Sequence, residues 1–313
     1  MRPAGRRDAG TLGLAVTDLA SLVRISEEVR DALEREVAVV ALETTLIAHG
    51  FPAPDGVEVG LEAEAAVRAA GAVPATVGVL DGHVRLGLGA DELARFGVDA
   101  RKAGPRDLAA CAVQGAVGAT TVGGTLSVAG LVGIHFLGTG GIGGVHRGYA
   151  AQPDVSPDLP ALARTPILVA ASGAKSLLDI QATLELLETL GIPVLGYRTD
   201  TLPRFYSAEG GPELAHRVES AAEAARIAAA HWRLCGAGLV LANPPPESLD
   251  VADLIEEGLA EADARGVSGQ AVTPFVLAFL HERSAGRTLE VNRKLVLANA
   301  RLAAEVAVAF AAL

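Results

Sequence analysis

The chain is predicted to fold as a three-layer α/β/α sandwich around a mixed central sheet. Three observations predict this. Short apolar runs rich in β-branched residues each stop in a polar or glycine-rich loop, amphipathic segments lie between them, and one Asp-Gly pair reverses the chain. Ser26, followed by Glu27 and Glu28, opens a short helix into Val29, Leu33 and Val37. Residues 1–25 ahead of it are read as a weakly ordered extension, and residues 26–313 as a single catalytic domain. The run from Val37 to Leu42 is a buried strand ending at Glu43-Thr44-Thr45. The run from Val73 to Leu80 meets Asp81-Gly82, and Val84 to Leu88 alternates well enough to return as its antiparallel partner. Further strands are expected at 133–137, 167–171 and 194–197. An amphipathic helix over 175–190 follows from Leu177, Ile180, Leu184 and Leu187 with a stop at Gly191. Helices at about 250–264, 272–284 and 292–311 complete the chain.

Composition narrows the function. The 313 residues carry a formal net charge of −11, only 4% are aromatic, and no Lys/Arg run of five or more occurs, so a polyanion is repelled and base-stacking platforms are scarce. A nucleic acid is therefore excluded as partner, whereas a small phosphorylated ligand held in a local cationic pocket is compatible. Cys111 and Cys235 are far apart and lie in no metal or redox motif, which fits a reducing cytoplasmic setting. The most apolar late window, 129–145, contains His135 and seven glycines and is poor material for a membrane span.

Several residues have candidate chemistry. The run from Gly138 to Gly148 contains a formal G-x-G-x-x-G, with Asp158 about 20 residues on from its start. Arg147, Gly148, Pro153 and Pro157 forbid the helix that a dinucleotide site requires directly after those glycines. The loop, with His146 and Arg147, still suits backbone approach to an anion, or simply a sharp surface turn. Lys175 is placed in the first turn of the 175–190 helix, where the dipole disfavours a cation and partial desolvation would free its amine as a nucleophile, although an exposed lysine that merely tolerates a helix start would look the same. Glu43, at a strand end, is positioned for proton transfer, although a solvated loop glutamate would look the same. Asp154 and Asp158 flank Ser156 in a loop suited either to a hard divalent cation or to Asx turns. Lys102 stands in a basic loop that either reaches a phosphate or is simply solvated, and His49 follows the Glu43 cluster, where it either lines the same mouth or is structural.

These segments together resemble the pseudouridine-5'-phosphate glycosidase family, from about residue 26 to 310. The residues carrying the likeness are 41–52 (ALETTLIAHGFP), 71–76 (GAVPAT), 138–148 (GTGGIGGVHRG), 172–175 (SGAK) with 178–180 (LDI), 242–247 (ANPPPE) and 273–275 (TPF). The resemblance implies reversible cleavage of the C–C glycosidic bond of pseudouridine 5'-phosphate to uracil and ribose 5-phosphate. Lys175 would form an imine with C1' of the opened sugar and Glu43 would move protons. It further implies substrate contacts at Lys102, Val122, Ser156, Pro157 and Asp158, nearby positions for His146 and Asn292, a divalent metal, manganese, at Asp154, and a cytoplasmic homotrimer. Family members commonly carry Ser-Arg-Arg-Asp after the substrate-contacting lysine, where this chain has Ala103-Gly104-Pro105-Arg106-Asp107. Two alternatives stay open: a same-fold enzyme acting on another phosphorylated C- or N-riboside, and a catalytically silent phosphosugar-binding protein.

Overall fold

The computed structural model describes residues 21–151, 153–267 and 271–313. Its centre is an 11-stranded mixed sheet. One line of strands runs β1 (Val23–Ile25), β4 (His83–Leu86), β3 (Val73–Leu80), β2 (Val39–Glu43), β7 (Phe136–Gly138), β9 (Leu168–Ala171), β13 (Leu239–Ala242), β11 (Val194–Tyr197) and β12 (His216–Val218). β6 (Gly118–Thr120) joins the upper half of β3 and carries β5 (Arg101–Ala103) beside it. The six strands from β3 through β11 are mutually parallel, and the Asp81-Gly82 turn folds β4 back antiparallel onto β3, as expected from the dipeptide. Parallel strands covered on both faces need apolar residues at every position, and β2, β9 and β13 are buried throughout.

Helices cover both faces. Ser26 caps the helix Glu27–Glu34 by accepting from Val29 N, as the sequence predicts. The long helix Arg287–Ala311 lies against β2, β7 and β9 and against the helices Asp55–Ala69 and Ala221–Leu234. Its approach is so close that a Cβ on Gly138 would come within 2.7 Å of the Ala300 backbone. The helices Val122–Ala129 and Asp158–Leu162 pack against each other, the former also against β2 and β3. One hydrophobic cluster extends from Val29 to Ala307.

Two expectations need correction. Val23–Ile25, assigned to the N-terminal extension, form an edge strand paired in parallel with Val84–Leu86; residues 1–20 lie outside the described residues. The helix expected from residue 175 begins instead at Ile180, because Asp179 takes the N-cap and accepts from Ala182 N at 3.0 Å. Ahead of it, β10 (Leu178–Asp179) pairs with β8 (Val145–His146) as a two-stranded ribbon. Lys175 therefore sits in a loop, and the helix-dipole argument for its reactivity does not apply. No helix follows the glycines after β7, so the dinucleotide fingerprint fails in structure as it does in sequence.

Candidate active site

Parallel α/β sheets place ligands beyond the carboxyl ends of their strands, and the candidate residues gather there. Glu43 ends β2, Thr139 follows β7, and the loop 172–177 follows β9. Lys175 is fixed through its backbone: its N–H donates to Ile142 O at 3.0 Å and its carbonyl accepts from Leu178 N at 3.0 Å. The lysine side chain is half-buried.

Two adjoining cavities meet at these residues. The first, about 310 Å³, is lined by Glu43, Thr139, Lys175 and Lys102, with an apolar portion made by Leu46, Leu177, Phe205, Pro274 and Leu277. The second, about 450 Å³, is lined by Lys102, Lys175, Arg106, Thr121, His146 and the loop 153–158. Lys102, Lys175 and Thr273 belong to both.

Glu43 is buried, and Thr139 donates its hydroxyl to Glu43 Oε1. Burial pushes the Glu43 carboxyl above its ordinary range, against the lowering influence of Lys175 and of the Thr139 bond. A raised carboxyl keeps its proton to higher pH than a solvated glutamate does. Burial and the neighbouring Lys175 charge together hold the Lys102 ammonium below its usual range, so an anionic ligand would relieve two cations at once. Burial also lowers His146, opposed by Asp154, whose carboxylate lies 3.9 Å from His146 Nδ1.

Asp158, expected as a substrate contact, lines the second cavity and also holds the backbone around it. It is buried, and its two carboxylate oxygens accept from Gly123 N at 2.7 Å and Gly143 N at 2.8 Å. It thereby pins the glycine-rich loop to the start of the helix Val122–Ala129 while still lining the second cavity. Ser156 Oγ accepts from Asp158 N, and Ser156 and Pro157 form the same wall. Val122 is buried and lines neither cavity; Thr121 beside it does. Asn292 lies in the wall of the first cavity, and its buried Oδ1 has no partner among the described residues. His49 also lines that cavity, with Nε2 3.0 Å from Ala100 O. In the divergent loop, Gly104 N donates to Asp107 Oδ2 at 3.1 Å and Arg106 remains at the rim of the second cavity with a mostly exposed side chain.

Sequence reasoning missed three contributors. Thr139 gave no sign of its bond to Glu43. Phe205 lines the first cavity with a left-handed backbone (φ 61°), an unfavourable conformation for a bulky residue, and packs on Gly140 and Gly141. Asn299 is fully buried and donates to Thr139 O at 2.7 Å and Ser172 Oγ at 3.1 Å, joining the strand-end loops after β7 and β9.

Fold and site define an α/β enzyme that sets a lysine and a buried carboxyl side by side at the carboxyl ends of parallel strands. The chain belongs to the indigoidine synthase A-like family, whose profile matches residues 28–309. It is 46% identical over 302 residues to a pseudouridine-5'-phosphate glycosidase from Dinoroseobacter shibae, covering 94% of this chain and 99% of that one. It is 48% identical over 303 residues to a protein of the same name from Chloroflexus aurantiacus, covering 92% and 98%. Among solved structures it is similar to the prealnumycin C-glycosynthase AlnA in complex with ribulose 5-phosphate (TM-score 0.85, 39% identity, 93% of this chain and 97% of that one). It is also similar to an indigoidine synthase A-like protein from Thermotoga maritima (TM-score 0.82, 35% identity, 92% and 96%).

Proposed function

We propose that this enzyme reversibly cleaves the C–C glycosidic bond of pseudouridine 5'-phosphate, giving uracil and ribose 5-phosphate. The observation that carries the reading is that Lys175 stands where an apolar cavity containing Glu43 meets a polar cavity containing Lys102 and Arg106. A planar base fits the first and a sugar phosphate the second. A carbon leaving group has no lone pair to protonate, so the bond needs an electron sink at C1'. In the proposed path the neutral Lys175 amine bonds to C1' as the C1'–O4' bond breaks with its electron pair going to the ring oxygen, and the proton shed by the nitrogen passes to that oxygen, leaving an open-chain secondary amine whose nitrogen again has a lone pair. The C–C bond then breaks with its electron pair going to the uracil carbon, which takes a proton from Glu43. The nitrogen lone pair forms the C1'=N imine, and water hydrolyses it to free ribose 5-phosphate. Lys102 holds the phosphate side, and Asn292 Oδ1 accepts from the base.

Among the described residues there is no group of three or more His, Cys, Asp or Glu placed to hold a metal ion. Asp154, half-exposed beside His146 at the second cavity, fits a hydrated divalent ion such as manganese, which would neutralise phosphate charge. A cytoplasmic homotrimer completes the proposal. No helix among the described residues is long and apolar enough to cross a membrane, and light scattering at three times the 31.8 kDa chain mass would support the trimer.

The test of the reaction is uracil release from pseudouridine 5'-phosphate, with and without added manganese. Borohydride reduction with ribose 5-phosphate should attach a sugar to Lys175 in the native protein and not in Lys175→Ala. Absence of uracil release would refute the activity, and an adduct elsewhere would refute the role of Lys175.

A further inference from the structure

Arg147 is the one strong cation of the glycine-rich loop, and it lines neither cavity. Its side chain, one-third exposed, turns instead onto the loop that carries Lys175. Nη2 lies 3.4 Å from Ser176 O and Nε 3.5 Å from Leu178 O, two carbonyls that follow the lysine in sequence. Nη1 pairs with Glu256 on the helix Ala252–Ala264. That helix packs on Val272–Arg283, which carries Thr273, Pro274 and Leu277 into the wall of the first cavity.

Backbone contacts already stitch the two loops on either side of this point. Ile142 bridges to Ala174 and accepts from Lys175 N, while His146 pairs with Leu178. Between these two stitches Ser176 and Leu177 have no such bridge. A guanidinium, planar and with five donors, spans carbonyls two residues apart, which an ammonium cannot do equally well. We propose that Arg147 is a positioning residue for Lys175: it fastens the chain just beyond the lysine, fixing the amine relative to Glu43, and links that loop to the helical wall over the cavity through Glu256. The proposal rests on the reading of Lys175 as the nucleophile. It replaces the anion-binding role that the sequence allows for Arg147.

The experiment compares the native protein with Arg147→Met, Arg147→Lys and Glu256→Gln. It measures kcat and KM for uracil release, the rate of borohydride-trapped adduct at Lys175, and amide hydrogen exchange across residues 173–179. Arg147→Met should lower kcat and the trapping rate by about 10²-fold, the typical cost of a misplacement near 1 Å, with KM changed less than threefold. Exchange across 173–179 should accelerate. Arg147→Lys should recover part of the rate, and it supplies the same comparison if the methionine variant fails to fold. Glu256→Gln should lower kcat less than Arg147→Met does, by severalfold and in the same direction, because the Glu256 carboxylate is mostly exposed while the guanidinium keeps its two carbonyl contacts. Two outcomes would overturn the proposal: unchanged exchange with kcat within twofold of native, or a loss appearing in KM rather than kcat, the mark of a phosphate ligand. Failure of the native protein to form an adduct at Lys175 would instead strike the catalytic reading, and the exchange comparison would still decide whether Arg147 holds the loop.

Discussion

Thr139 donates its hydroxyl to the carboxyl of Glu43, across the gap between the ends of two neighbouring parallel strands. The hydroxyl is in turn set by its own backbone, since Thr139 O accepts from Asn299 on the long C-terminal helix. The orientation of the Glu43 carboxyl is therefore fixed by residues far from it in sequence.

Burial raises the Glu43 pKa, so the folded state binds that proton more tightly than the unfolded chain does. This contribution to stability is fully present below the ordinary value of 4.5 and is lost as pH rises through the folded value. Glu43→Gln should consequently melt at a higher temperature than the native protein at pH 8, with the gap closing below pH 4.5. Its turnover should fall by about 10²–10⁴-fold, as for loss of a general acid. Calorimetry across pH, paired with a uracil assay, checks both halves.

Lys102 faces the second cavity and shares the first with Lys175. Removing its charge in Lys102→Met should raise KM for the phosphorylated substrate by about 10–100-fold, corresponding to one charged hydrogen bond of about 1.5–3 kcal/mol. Pseudouridine lacking the phosphate should show little change between variant and native protein. Equal losses on both substrates would argue against a phosphate role.

Asp158→Ala would leave the N–H groups of Gly123 and Gly143 without their acceptor. The expected destabilisation is about 2–4 kcal/mol, read as a shift of the urea midpoint at constant slope. A variant of native stability that lost only substrate affinity would show that Asp158 acts as a ligand contact and not as a clamp on the two loops.

Gly143 is crowded by Ser156 and Asp158: an added Cβ would meet Ser156 Oγ at 2.1 Å and Asp158 Oδ2 at 2.8 Å. Gly143→Ala should force the two loops apart, costing about 1–3 kcal/mol and most of the activity. Gly148→Ala is the contrast. There nothing lies within 4 Å of the added Cβ, but the backbone is left-handed (φ 81°), so a smaller destabilisation with activity retained is expected. Thermal melts and initial rates on the two variants separate crowding from backbone strain.

Much of the sheet was legible because its strands are continuous apolar runs that stop in polar loops, as Val39–Glu43 and Leu168–Ala171 do. Val23–Ile25 was not, since a three-residue edge strand with partial burial carries no such run. The helix near Lys175 was misplaced by five residues because its apolar spacing extends upstream of the true cap. Leu177 and Leu178 are buried, but in a loop and a ribbon rather than a helical turn. Within the site, Glu43 could be singled out by its position at a strand end, whereas Lys175 was reached through a helix start that in the structure lies at Ile180. Thr139, Phe205 and Asn299 could not, because what they do depends on partners 96, 33 and 160 residues away or on a backbone angle.

Lys102 and Lys175 stand between two chambers rather than at the bottom of one. In the proposed reaction each half of a cleaved molecule would have its own room, and neither product would have to pass the other to escape. In the synthetic direction the same plan lets the two halves enter in either order. Measured patterns of product inhibition should accordingly be those of random rather than ordered release, and a compound that tethers a flat ring to a sugar phosphate would occupy both rooms at once.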